Sequence, residues 1–174
     1  MVSIKSIKVE KESIIDLKTD LLVLAQEEDG NVTQLDSDLN SSIDSVASLE
    51  SFKGKNGKSI HLYGNGNTKR VSIFGLGKKE KLNSDSIRSL ASKVSTYASK
   101  LNLSSFSVDG SSFGLDDSEY AQAFAEGLVL GNYQFLDYKS KKKDTYILES
   151  INILGDIDQT CLQKGFIIGN SVCY

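Results

Sequence analysis

The sequence has no proline and no tryptophan, and it has one histidine and two cysteines. The missing prolines agree with short turns built on glycine and serine. Cys161 and Cys173 are too few for a disulfide framework or a cysteine-ligated zinc site, so we interpret them as free, partly buried thiols. His61 has no companion for a histidine-based metal site, and we expect a packed or surface residue in a strand.

The sequence also lacks a strong charge of one sign and long apolar runs. The formal net charge is −3, whereas a general nucleic-acid-binding domain is usually clearly basic. No apolar run approaches the roughly 20 residues that span a membrane, and the N-terminal segment has no signal-peptide core. We therefore expect a cytoplasmic protein, with neither membrane nor nucleic acid as a partner.

The sequence does contain enough apolar material for the core of one domain, with 39% hydrophobic and 25% charged residues. Alternation of apolar and polar residues predicts a strand at 3–9, and a continuous apolar run at 21–25 predicts a strand covered on both faces. Gly75 is expected to end the strand at 70–74. The other predicted strands lie at 58–63, 105–108 and 149–154.

Helical periodicity separates the strands. It is weak between 26 and 51, and clear after Asn83 or Ser84, either of which can cap a helix. A long helix is predicted from Ser118, and a last helix follows the final strand. Small residues four positions apart form one face of the long helix: Ala123, Gly127 and Gly131. This alternation predicts an α/β fold, with a mixed, mainly parallel sheet flanked by helices.

The stretch "FGLGKKEKL" at 74–82 follows a strand and precedes a helix, which is the context of a phosphate-binding loop. A Walker sequence requires serine or threonine after its Gly-Lys pair, but Lys79 is there. The dinucleotide pattern requires a third glycine, but Glu80 is there. We therefore interpret Gly75 and Gly77 as residues of a tight turn that a side chain would obstruct.

Three segments resemble the N-terminal domain of the leucyl (cytosol) aminopeptidases: "RVSIFGLGKKEKL", "AQAFAEGLVLGNYQFLDYKSKKK" and "LESINIL". Their order and spacing also fit, and the resemblance is weakest across 26–51. It implies an α/β sandwich similar to macro domains, followed in the family by a larger catalytic domain that removes N-terminal amino acids from peptides. It further implies homo-hexamers and two divalent metals, zinc or manganese, in that catalytic domain.

The resemblance divides the chain into an N-terminal, macro-like, non-catalytic domain at 1–155 and, at 156–174, the start of a helix leading to the catalytic domain. In the family, the metal ligands and the catalytic arginine lie beyond the position matching Tyr174. No catalytic, cofactor-binding or metal-ligating residue is therefore transferred to this chain. The resemblance implies that the chain alone is inactive and binds no cofactor. Its implied partners are its own C-terminal catalytic domain and the other subunits, and peptides are the substrates of the parent protein.

The aspartates favour structural roles. Asp116 and Asp117 precede a helix, where acidic residues complement the helix dipole, and we favour this role over paired acid–base catalysis. Four others are interpreted as turn and cap residues in the same way: Asp36, Asp38, Asp156 and Asp158. The sequence contains no Gly-x-Ser-x-Gly elbow and no plausible Cys–His pair for nucleophilic catalysis.

Two binding functions remain as alternatives to a structural, oligomer-supporting role. A macro-like pocket for ADP-ribose or another nucleotide would require glycine loops suited to a diphosphate, and only the Gly75–Gly77 turn comes near this. A DNA-binding surface would be centred on the basic run Lys139–Lys143. No aromatic residue interleaves with these lysines, and positive charge after a helix also stabilises the helix C-terminus.

Overall fold

The computed structural model describes residues 4–139 and 148–173. Six strands are present in this part of the chain: β1 Ile4–Glu10, β2 Leu22–Glu27, β3 Ser59–Asn65, β4 Thr68–Gly77, β5 Ser105–Asp109 and β6 Leu148–Leu154. Four α-helices accompany them: α1 Ser37–Leu49, α2 Ser84–Lys100, α3 Ser118–Lys139 and α4 Gln159–Val172. None of the helices in the described residues is both long and apolar enough to cross a membrane.

The six strands form one sheet in the order β1-β6-β5-β2-β4-β3. All neighbours run parallel except β3 and β4, which pair antiparallel as a hairpin. The expected fold class, a mixed and mainly parallel sheet flanked by helices, is confirmed. Strands β1 and β3 are the two edges of the sheet.

The position of β2 inside the sheet explains why its sequence begins with a continuous apolar run. Leu22 and Leu24 pack into the core under α1, whereas Val23 and Ala25 pack into the core under the other three helices. Successive side chains of a strand point to opposite faces, so the part of β2 with a core on each side, residues 22–25, is apolar throughout. All four residues are buried, as predicted.

Helix α2 begins where the sequence signal places it. The Asn83 side chain accepts a hydrogen bond from the backbone N–H of Ser86, and the Ser86 hydroxyl lies 3.0 Å from the Asn83 nitrogen. This reciprocal pair satisfies two backbone donors that the first helical turn leaves free. Ser84 is the first helical residue rather than the cap.

Helices α2 and α3 approach closely through glycines. A Cβ atom at Gly127 would collide with the carbonyl oxygen of Arg88, and one at Gly131 would collide with that of Ser92. A glycine within a helix costs about 1 kcal/mol relative to alanine, and the close backbone contact offsets this cost. The predicted small-residue face therefore lies in the α2–α3 interface, where Ala123 is also buried.

The end of β4 differs from the prediction. Gly75 does not end the strand, because the strand continues to Gly77. Gly75 pairs with Gln26 of β2, and a bulge between Gln26 and Glu27 lets the ladder continue to Gly77. Only at Gly77 does the backbone adopt a positive φ of 78°, a conformation in which glycine is favoured, and there the strand ends.

Candidate functional site

The Gly75–Gly77 turn is occupied by the protein itself. The Gly75 N–H donates to the Lys58 carbonyl oxygen at 2.8 Å, and the Gly77 N–H donates to that of Gly54 at 2.9 Å. A Cβ atom at Gly75 would collide with the carbonyl oxygen of Lys55. The two glycines therefore make room for the 54–58 loop, and their amides are not available to cradle a phosphate.

His61 lies on the edge strand β3, in contact with helix α2. Its ring stacks on that of Tyr97, with centroids 4.0 Å apart and planes inclined at 21°. Nδ1 lies 2.8 Å from the Ser72 hydroxyl, and Nε2 lies 3.1 Å from the Ser59 hydroxyl. Partial burial lowers the pKa of the His61 imidazole, and the charge of Glu50 opposes this shift. The ring is a packed, hydrogen-bonded surface residue, as expected from the sequence.

The His61–Tyr97 pair lines two cavities between β3 and α2, and we refer to these cavities together as the β3–α2 groove. The larger is about 410 Å³ and is lined by three lysines, Lys58, Lys93 and Lys100, with Phe74 and Leu90 among its apolar residues. The smaller is about 240 Å³ and is lined by Leu62, Tyr63, Arg70 and Leu101. No carboxylate lines either cavity among the described residues.

The charge of this groove was not found from the sequence, although a signal for it exists. Lys93, Tyr97 and Lys100 are four and three positions apart, so they share one face of α2. The apolar stripe of α2 dominates its pattern, and Lys58 comes from a turn far away in the sequence. In the described part of the chain none of the three lysines forms an ion pair with a carboxylate.

The aspartates proposed as caps lie at helix starts. Asp36 accepts hydrogen bonds from the backbone of Asp38 and Leu39 and caps α1. Asp158 accepts from the backbone of Thr160 and Cys161 and caps α4. The backbone bond from Leu39 lowers the pKa of Asp36 most. The bond from the Cys161 thiol does the same for Asp158.

Of the two aspartates before α3, only Asp117 has a capping role among the described hydrogen bonds. The Asp117 carboxylate accepts from the N–H groups of Glu119 and Tyr120, while Asp116 is exposed. Asp38 lies in the first turn of α1, and Asp156 is an exposed bend residue before α4. Within the described residues, no group of three or more His, Cys, Asp or Glu side chains is placed to hold a metal ion.

The crevice at the carboxyl ends of β2 and β5 is the position where open α/β sheets usually hold a ligand, because the strand order reverses there. In this protein, side-chain and backbone groups of its own residues hydrogen-bond to one another at that position. The Thr33 hydroxyl donates to the Asp109 carboxylate at 2.6 Å. The Ser112 hydroxyl accepts from the Ala25 N–H at 3.0 Å and donates to the Asp109 carbonyl at 2.8 Å. Sequence reasoning missed this cluster, because its members come from strands β2 and β5 and from the loops that follow them.

The remaining sequence candidates are the cysteines and the basic run. Cys161 and Cys173 are free thiols of intermediate exposure, as predicted. Burial raises the pKa of the Cys173 thiol, which makes its reactive thiolate scarcer at neutral pH. The basic run Lys139–Lys143 lies outside the described residues, except for the backbone of Lys139 at the end of α3.

Comparison with known sequences gives one family. The family model described as "Cytosol aminopeptidase family, N-terminal domain" matches residues 22–142, from β2 to the end of α3. A probable cytosol aminopeptidase of Picosynechococcus sp. is 34% identical over 145 residues, which cover 82% of this chain and 29% of that protein. One from Sulfurihydrogenibium sp. is 31% identical over 172 residues, which cover 94% and 34%. The chain spans about a third of the length of these curated relatives.

Solved structures share the fold. A mutant of tomato leucine aminopeptidase matches with a TM-score of 0.70 at 23% identity, over 97% of this chain and 36% of that one. The bottromycin maturation enzyme BotP matches with a TM-score of 0.65 at 18% identity, over 88% and 31%. BotP has also been solved in complex with Mn. At these identities the likeness shows the fold alone.

Proposed function

Because this chain belongs to the cytosol aminopeptidase family, of which it is an N-terminal domain, we propose that it is the non-catalytic domain of a leucyl aminopeptidase. The parent protein would remove N-terminal amino acids from peptides in the cytoplasm. The observation that carries this proposal is the family match over 22–142, which includes four of the six strands and the whole α2–α3 interface.

The described residues do not fit a two-metal centre. Two metal ions a few ångströms apart require several converging ligands held by further hydrogen bonds. Here the carboxylates of Asp36, Asp117 and Asp158 accept backbone hydrogen bonds at the starts of three different helices. This arrangement supports the proposal that the two divalent metals, zinc or manganese, bind in the catalytic domain of the parent.

Helix α4 is the surface that we propose for contact with the catalytic domain. Its inner side packs into the core through Leu162 and against α3 through Gly165. Its outer side exposes Ile167 by 63% and Val172 by 68%. Ile168, 36% exposed, lies beside Ile167 and one turn before Val172. Exposed apolar side chains grouped on one helix are typical of an interaction surface, and the relatives are about three times longer than this chain. We propose that 1–155 forms the macro-like domain and that 156–174 connects it to the catalytic domain and to the other subunits of a hexamer.

Two experiments test this function. The coding sequence after Tyr174 should continue into a catalytic domain, and a stop codon there in the natural gene would refute the proposal. The purified chain should not hydrolyse leucine amide, even with added zinc or manganese, with a mock purification as the control for host aminopeptidases. Hydrolysis that follows the protein through two columns, with metal bound in stoichiometric amount, would also refute it.

The role of α4 requires the full-length protein. Ile167→Asp should reduce the hexamer fraction in analytical ultracentrifugation, because a buried carboxylate at the contact would be unpaired. Lys164→Asp, on the same helix and also exposed, is the control for charge. Equal assembly of wild type and Ile167→Asp would remove α4 from the contact while leaving the family assignment intact.

A further inference from the structure

The two edge strands of the sheet, β1 and β3, differ in whether other residues hydrogen-bond to their outward-facing backbone groups. At the β1 edge, the Val9 N–H donates to the Gln159 side-chain oxygen at 2.7 Å. The Ile7 carbonyl accepts from the amide groups of Gln159 at 3.2 Å and Gln163 at 2.9 Å. Helix α4 therefore satisfies outward-facing backbone groups of β1, which prevents another strand from pairing there.

The described residues provide no such cover at the β3 edge. The bond from the Gly75 N–H to the Lys58 carbonyl and the antiparallel register place the backbone groups of Ile60 and Leu62 towards β4. The alternate residues Ser59, His61 and Tyr63 then direct their N–H and C=O groups outward. Over residues 4–139 and 148–173, no hydrogen bond from another segment reaches these groups.

The sequence of β3 also lacks the usual devices against edge pairing. The strand reads SIHLYGN, without proline or lysine, and it pairs with β4 from Ser59 to Tyr63 without a bulge. Tyr63 is 81% exposed. A regular, uncharged edge strand with three outward donors and three outward acceptors is a template for a further strand.

Positive charge borders this open edge on the α2 side. The larger cavity of the β3–α2 groove is lined by Lys93 and Lys100 of α2 and by Lys58, the residue before β3. Arg70 lines the smaller cavity, and its guanidinium carbon lies 6.0 Å from the centre of the Tyr63 ring. One carboxylate, that of Glu50, acts on His61 through its charge, and it lines a separate cavity with Lys53 and Lys55.

We propose that the β3 edge binds an extended polypeptide segment that carries acidic side chains at alternate positions. The segment pairs through its backbone with Ser59, His61 and Tyr63. Side chains of a strand alternate between faces, so every second residue of the segment points towards α2. Acidic residues at those positions meet the lysines of the groove, while apolar residues at the others face away from them.

This occupant fits better than the two obvious competitors. A second copy of the chain, pairing β3 with β3 about a two-fold axis, would bring like charges together, which disfavours binding. A small anion would use the lysines but not the row of backbone donors and acceptors. The combination of an open edge and a cationic border on one face requires a ligand that has both a peptide backbone and negative charge.

Fluorescence anisotropy with synthetic peptides tests the proposal on the 174-residue chain. The probe is a fluorescein-labelled heptapeptide of alternating glutamate and valine. One control replaces glutamate with lysine, and another keeps glutamate but is N-methylated at every peptide bond, which removes the donors of both strand edges. We expect saturable binding of the probe and at least tenfold weaker binding of both controls. Equal binding of the N-methylated peptide, or no binding of the probe, would overturn the proposal.

Variants of the chain locate the site. Tyr63→Pro removes an outward N–H without removing a bond to β4, and Tyr63→Thr keeps that N–H. Lys93→Glu reverses a charge of the groove. Lys8→Glu is its control, because Lys8 is an exposed residue of β1, at the opposite edge of the sheet. We expect at least tenfold weaker binding for Tyr63→Pro and Lys93→Glu only. If Tyr63→Pro does not fold, Lys93→Glu and the N-methylated peptide still decide. Unchanged binding by Lys93→Glu, or a dimer of the free chain that excludes the probe, would overturn the proposal.

Discussion

The imidazole ring of His61 lies against the phenol ring of Tyr97, 4.0 Å between centroids, and joins the edge strand β3 to helix α2. Each of the two ring nitrogens forms a hydrogen bond with a serine hydroxyl, Nε2 with Ser59 and Nδ1 with Ser72. Phe74 meets the imidazole edge-on at 5.8 Å. The ring is therefore fixed on both its edge and its face, and partial burial disfavours its protonated form.

The pH dependence of stability should report this environment. The pKa of folded His61 lies below its ordinary value of about 6.5, so the unfolded chain binds more protons between the two values. The free energy of unfolding should therefore fall as the pH decreases through that window. His61→Phe keeps a ring on Tyr97 and removes the titration, so its Tm should change less between pH 7.5 and pH 5.5.

A single histidine makes this prediction easy to check. NMR titration of the one imidazole signal should give a pKa below about 6.5. A midpoint at or above that value, or the same pH slope of Tm in His61→Phe, would contradict the prediction.

The closeness of α2 and α3 predicts the effect of a larger residue at Gly127. Gly127→Leu should lower the free energy of unfolding by a few kcal/mol, because the side chain would overpack the contact with Arg88 and Ala91. Gly66→Leu is a matched control, since a Cβ there meets nothing within 4 Å. Urea melts of the two variants provide the measurement, and equal midpoints would show that the interface tolerates the bulk.

Nucleotide binding should be weak or absent. The N–H groups of Gly75 and Gly77 already donate to carbonyl groups of the 54–58 loop, and the Asp109 carboxylate at the carboxyl end of β5 already accepts from the Thr33 hydroxyl. Calorimetric titration with ADP-ribose and ATP should give no dissociation constant near or below micromolar, about −8 kcal/mol. Tighter binding of either ligand would favour the macro-like nucleotide function instead.

The fold was predictable because its signals are local. The apolar run of β2, the Asn83 cap and the small residues around Gly127 each act over a few positions, and the structure has them where they were predicted. The end of β4 was mispredicted because the 54–58 loop, far away in sequence, permits Gly75 to stay in the strand.

The surfaces were less predictable because they combine residues that are far apart in the sequence. The β3–α2 groove combines Lys58 from a turn with Lys93 from a helix, and the open edge of β3 depends on the strand order. The sequence shows that β1 and β3 are strands but not that they are the edges. It also does not show that Gln159 and Gln163 of α4 cover only one of them.

A last prediction separates two partners of one arginine. The Arg88 guanidinium contacts the Glu126 carboxylate through Nε at 2.8 Å and that of Asp85 through a terminal nitrogen at 2.6 Å. The Glu126 side chain is 11% exposed and that of Asp85 is 93% exposed. Only Glu126 would be left as a buried, unpaired charge if the arginine were removed, although Gln122 would still donate to it.

Arg88→Met should therefore cost about 3 kcal/mol of stability, whereas Asp85→Asn should cost less than about 1 kcal/mol. The double variant Arg88→Met with Glu126→Met should recover most of the loss, because it replaces the buried pair with apolar side chains of similar length. Chemical denaturation of the three variants measures these differences. If the double variant is no more stable than Arg88→Met, the loss comes from the packing of the arginine stem and not from the unpaired carboxylate.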